Sequence, residues 1–135
     1  MPSNGANGIE INNASAKVFA HNSGFDQNSN DGVLVSNGTF TADSSWASFN
    51  TVAGFETKDS AASYLTHVAA TFNADGVYTT ATMANVYWAY SNITGNTTDL
   101  NGPGASTTFL GGVPNQGSSL TGSQSAPTPY MQPLH

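Results

Sequence analysis

A chain of 135 residues has one domain's worth of sequence, and its charge census removes several partners at once. There is no arginine, and lysine occurs only at Lys17 and Lys58 against eight acidic residues. No basic patch can neutralise phosphates, which excludes nucleic acid and argues against anionic membrane surfaces. Cysteine is absent, so neither a disulfide nor a thiolate metal site can staple the fold, and no apolar run approaches the about 18 residues of a membrane span.

Ser, Thr, Asn and Gly make up nearly half of the sequence, while charged residues are only 7%. A disordered chain of low hydrophobicity usually carries high net charge, and this one does not. Polar without being charged, the composition suits β-structure with a Ser, Thr and Asn surface around a thin core, with association as the supplement to stability.

Along the chain, "MPSNGANGIEINN" lacks the basic and apolar regions of a secretory signal, and residues 1–8 read as a short arm. "GIEINNASAKVFAH" offers two short strands, 8–11 and 14–20, with Asn12-Asn13 as a turn. In "FDQNSNDG" the oxygens of Asp26, Asn28, Asn30 and Asp31 alternate as in a calcium loop, but the glycine falls one place late and Asn37 stands where the loop needs glutamate. An EF-hand is rejected; a solvated Asx-rich turn is the default, with a looser calcium site over Asp26–Asp31 as the alternative.

"VLVSNGTFTA" carries Asn37-Gly38, the signature of a two-residue hairpin that sets Val35 beside Phe40. "DSSWASFNTVAG", 43–54, puts Trp46, Phe49 and Ala53 on one helical face with Gly54 to end it. "DSAASYLTHVAATF" reads as strand or helix, the strand being favoured because turn chemistry follows directly at Asn73-Ala74-Asp75-Gly76. Pairing outward from that turn gives a long hairpin, about 64–90, in which Phe72 meets Tyr78 and Tyr64 meets Val86. Its second arm lies in "GVYTTATMANVYWAYSNIT", a run without a charged side chain that needs covering. Beyond Asp99 no charge follows; residues 100–135 are rich in Gly and Pro with scattered apolar anchors, and read as an extended arm that orders on assembly.

The expected fold is therefore all-β, mainly an antiparallel small sandwich or barrel-like domain with room for one short helix. It divides into an N-terminal arm (1–8), a core (9–99) and a C-terminal arm (100–135). Met83, Tyr87, Trp88, Tyr90, Phe109, Leu110, Tyr130 and Met131 are the candidate interface residues.

Reactive groups are sparse. His21, His67 and His135 share no metal-binding spacing, His67 reads as an ordinary partly buried residue on a strand face, and nothing pairs Glu10 with Glu56. No catalytic residue, cofactor or metal is expected, and the chain reads as a non-enzyme. In composition it resembles the decoration (cement) proteins of tailed-phage capsids: small, cysteine-free, β-rich and nearly uncharged. That likeness implies a structural virion protein on the surface of an extracellular particle. It would be a homo-oligomer, a trimer by preference, bound across a major capsid or other assembly protein. A carbohydrate- or surface-binding module with Tyr87, Trp88 and Tyr90 as its platform is the alternative, as is a pilus or fibre subunit.

Overall fold

In the computed structural model, which describes residues 5–79, 84–102 and 107–109, the chain winds as a β-solenoid. Its strands are, in order, β1 (Ile9–His21), β2 (Val33–Asp43), β3 (Trp46–Ser48), β4 (Ala53–Thr57), β5 (Ala62–Thr66), β6 (Ala69–Thr71), β7 (Asp75–Thr79), β8 (Asn85–Ala89), β9 (Asn92–Thr94), β10 (Thr98–Asn101) and β11 (Thr107–Phe109). Among the described residues every strand pairing is parallel, each strand lying on its counterpart one coil away.

Each coil has three faces. Face A holds the first halves of β1 and β2, then β4, β7 and β10; face B holds their second halves, then β5, β8 and β11. Face C is a separate 3-stranded sheet of β3, β6 and β9, extended by a bridge from Gly24 to Trp46. Because β1 and β2 run unbroken round the corner between A and B, those two faces form one 8-stranded sheet.

The chain is all-β, but the antiparallel sandwich or barrel and the short helix are overturned. The segments expected to pair in the 64–90 hairpin are neighbours, yet Tyr64 lies beside Tyr87 in a parallel ladder. Asn73 to Gly76 turns the chain from face C to face A and does not reverse it. Residues 43–54 hold no helix, since β3 sits there between Ser44 and Phe49, both of left-handed backbone. Asn37 and Gly38 lie inside β2: Gly38, at φ 92, bends the strand from face A to face B. A Cβ at that position would stand 2.5 Å from the Asn13 carbonyl oxygen. Turn residues at a hairpin and at a solenoid corner have the same backbone needs, so local chemistry alone does not separate them.

A repeat of 22 or 23 residues makes the difference, and the ladder Asn28, Asn50, Asn73, Asn96 shows it best. Each interior asparagine spends its whole amide. Asn50 Nδ2 donates to Asn73 Oδ1 (2.9 Å) and to the Phe25 carbonyl (2.9 Å), while its Oδ1 accepts from Asn28 Nδ2 (2.8 Å) and the Asn28 backbone N–H (3.0 Å). Asn73 and Asn96 repeat the pattern, and the buried Asp99 carboxylate accepts the last donor at 3.1 Å. A fully satisfied buried network of this kind fixes the register of every coil.

Beside it runs a glycine ladder, Gly8, Gly32, Gly54 and Gly76, where the coils approach closely. At Gly76 a Cβ would lie 2.5 Å from Ile93 Cγ2 and 2.6 Å from the Asp99 carbonyl oxygen. After each glycine comes an inward residue, Ile9, Val33, Phe55 and Val77, and Leu100 continues their stack by register. Face B contributes Phe40, Leu65, Val86 and Trp88 to the interior, and face C contributes Phe25, Ala47, Ala70 and Ile93. Phe25, Phe40 and Phe55 meet with ring centroids 6.2 to 6.5 Å apart. A core one side chain thick, renewed in every coil, needs few large apolar residues, which is why so polar a composition suffices.

Candidate functional site: an aromatic-walled face

The two corners that bound face C are each built from a left-handed residue repeated coil after coil. Between faces B and C these are Asn22, Ser44, His67 and Tyr90; between faces C and A they are Gln27, Phe49, Phe72 and Gly95. Asparagine and glycine adopt this conformation cheaply, whereas bulky side chains are strained by of order 1–3 kcal/mol each. Phe49 at φ 58, Phe72 at φ 59, His67 at φ 52 and Tyr90 at φ 53 all bear that strain while projecting outward.

Parallel coils stack these side chains in register. His67 and Tyr90 have ring centroids 5.3 Å apart and an interplanar angle of 11°; Phe49 and Phe72 are 4.9 Å apart at 11°. Phe49 is 59% exposed and Phe72 61%, values far from those of core phenylalanine. A third stack on the outside of face B joins Tyr64 to Tyr87, 4.9 Å apart at 12°, with burial and then the neighbouring Tyr87 raising the Tyr64 hydroxyl's pKa.

Between the two walls the outward side of face C is polar. Asp26, Ser48, Thr71 and Thr94 form one row by register, with Ser48 and Thr71 hydroxyls 3.0 Å apart. Trp46, Ala69 and Asn92 form the other, the Trp46 indole N–H donating to Asp26 Oδ2 at 2.8 Å. At the His67–Tyr90 margin this surface sinks into a groove of about 480 Å³ lined by Ser44, Trp46, His67, Ala69, Tyr90 and Asn92 among others. Asp43 stands beside the groove-lining His67: its Oδ1 lies 3.4 Å from His67 Nδ1 and its Oδ2 lies 3.0 Å from His21 Nδ1. His67 is thus an exposed corner residue and not the partly buried strand-face side chain expected.

The expected interface set is dispersed. Trp88 is a core residue at 1% exposure, Tyr87 is half-buried on face B, and Tyr90 alone of that trio stands on the aromatic wall. Phe109 lies on β11 in register with Trp88, and Met83, Leu110, Tyr130 and Met131 lie outside the described residues. Trp46, Phe49, His67 and Phe72 were not anticipated as a surface. Read locally, two belong to a helix face and two to a hairpin arm, and only the 22- or 23-residue period aligns them.

The calcium-like cluster is divided among separate partners. Asp26 holds Trp46 and the Ser48 amide, Asn28 starts the buried ladder, Asn30 donates to Asn7, and Asp31 Oδ1 accepts from the Ala53 amide. Among the described residues no group of three or more His, Asp or Glu is arranged to hold a metal ion. Asp31 and Glu56 are instead hydrogen-bonded to each other by their carboxyls. Burial, the Asp31 charge and that hydrogen bond push Glu56 up to about 7, and burial also raises Asp31 and Asp75. Asp31 and Glu56 are buried, at 1% and 8% exposure, so a substrate reaches neither easily. In comparisons with protein-family models, curated proteins and solved structures, nothing matches this chain.

Proposed function

We propose that the chain is a non-catalytic glycan-binding β-solenoid module whose binding surface is face C. The observation that carries this reading is the pair of exposed aromatic stacks, His67–Tyr90 and Phe49–Phe72, held at strained corners on either side of a hydroxyl- and amide-bearing strip. Sugars present an apolar C–H face and a rim of hydroxyls, and this arrangement offers a counterpart to each. Neither lysine lines the groove and the Asp43 carboxylate lies 3.4 Å from the groove's His67, which favours a neutral glycan over an acidic one. The test is a glycan array with the wild type and Tyr90→Ala. Binding to neutral glycans that falls about tenfold or more in the variant supports the reading. An array on which the wild type binds no neutral glycan removes it.

A second reading is a structural component of a virion or fibre, and β1 favours it. That strand runs 13 residues and, among the described residues, pairs only with β2, leaving its other edge as a template for a neighbouring subunit or capsid protein. The two readings combine readily in a particle-surface protein that both associates, as a trimer or otherwise, and recognises a glycan coat. A sedimentation experiment that finds only monomer at high concentration would count against the second.

A further inference from the structure

The Phe49–Phe72 ladder stops abruptly. The next position at that corner is Gly95, where an ideal Cβ would sit 3.7 Å from Phe72 Cε1 and 3.9 Å from Cδ1, the distance at which a side chain would continue the stack. Gln27, Phe49 and Phe72 adopt φ 59, 58 and 59 at this corner, so the fold does not require glycine there. With glycine, the ring face of Phe72 turned toward the next coil carries no side chain from position 95 and leaves a notch about one coil, ~4.8 Å, high. Polar groups stand beside it: Thr71 and Thr94 on the outward row of face C, and Thr97 exposed just beyond the corner.

We infer that this notch is a second sugar subsite, in which one pyranose ring of a neutral polysaccharide lies flat on Phe72 in the place a side chain at 95 would take. The inference rests on the glycan-binding reading and deepens it. The corner residues His67 and Phe72 are five residues apart along the coil, so the groove and the notch are separated by about 15 Å of extended chain. A short oligosaccharide crossing face C reaches both, and a disaccharide reaches one. The ligand is thus longer than a disaccharide, and the two subsites act together through a high effective concentration.

The notch is tested by filling it. Affinities are measured for neutral β-glucan, α-glucan, mannan and galactan oligosaccharides of increasing length, for the wild type, Gly95→Phe and Gly95→Gln. Gln27 already occupies the equivalent corner, so the glutamine variant keeps the test sound if phenylalanine disturbs folding, and circular dichroism with a thermal melt verifies both. The expected result is an affinity that rises with chain length in the wild type and falls about tenfold for the long members in both variants, with disaccharide binding unchanged. Long-chain binding that is indifferent to Gly95→Phe yet lost in Tyr90→Ala overturns the notch and leaves the groove. A wild type that binds none of these neutral oligosaccharides overturns the neutral-glycan reading itself.

Discussion

At the corner between faces C and A, two adjacent positions in each coil face opposite environments. The inner one is Asn28, Asn50, Asn73 and Asn96, the same residue every time; the outer one is Gln27, Phe49, Phe72 and Gly95, which have little in common. Inside, a carboxamide must serve two donors and two lone pairs in a dry column, and only asparagine fits that geometry. Outside, the backbone asks only for a left-handed residue, and glycine or glutamine satisfies it as well as phenylalanine does. The fold dictates the inner ladder. It does not dictate the aromatic outer one, whose strain calls for another reason.

The largest way to break this comparison is on the inner side. Asn50→Ala orphans the Phe25 carbonyl, the Asn28 amide groups and one lone pair of Asn73, and is expected to destabilise the chain by about 3 kcal/mol or more in denaturant unfolding. A loss under about 1 kcal/mol would mean the ladder is decorative. Next comes Gly76→Ala, whose Cβ meets Ile93 and the Asp99 carbonyl. Spreading two coils to admit it should cost about 2 kcal/mol, read as a lowered melting temperature.

These two ladders also mark what was legible in the sequence. Strand-forming runs and the need to cover "GVYTTATMANVYWAYSNIT" could be read locally. Parallel pairing could not, because Asn37-Gly38 and Asn73 to Gly76 satisfy the backbone needs of a hairpin and of a corner alike. The discriminating signal was long-range: Gly-apolar-x-[Val/Ile/Thr] at Gly8, Gly32, Gly54 and Gly76, 22 to 24 residues apart, with an Asn column beside it. Without that period, Trp46 and Phe49 resemble a helix face, and Tyr87, Trp88 and Tyr90 resemble one platform. Corners, once located, send Trp88 inward and Tyr90 outward.

A smaller effect comes from the acidic group on face A. Asp31, Glu56 and Asp75 hold their protons to higher pH in the folded chain than in the unfolded one. Folded chains therefore bind more protons between the ordinary carboxylate range and about 7, and stability falls as pH rises across that window. Melting at pH 5 should exceed melting at pH 8. Glu56→Gln should flatten the profile and stabilise the chain at pH 8 by about 1 kcal/mol, solvent screening keeping the gain modest. A melting temperature that instead rises from pH 5 to pH 8 would show that the carboxyls are ionised and well paired.

The smallest stability effect belongs to the outer ladder, and it sharpens the comparison most. Asparagine tolerates the left-handed conformation, so Phe72→Asn and Tyr90→Asn relieve strain while removing a stacked ring, for a net change within about 1 kcal/mol of zero. The double variant separates folding from recognition in one protein. Isothermal titration with the best neutral glycan from the array, alongside a thermal melt, is the most direct measurement. The account predicts a melting temperature close to the wild type's together with glycan binding reduced beyond detection; a double variant that binds as the wild type does, or that unfolds while the wild type stays folded, would contradict it.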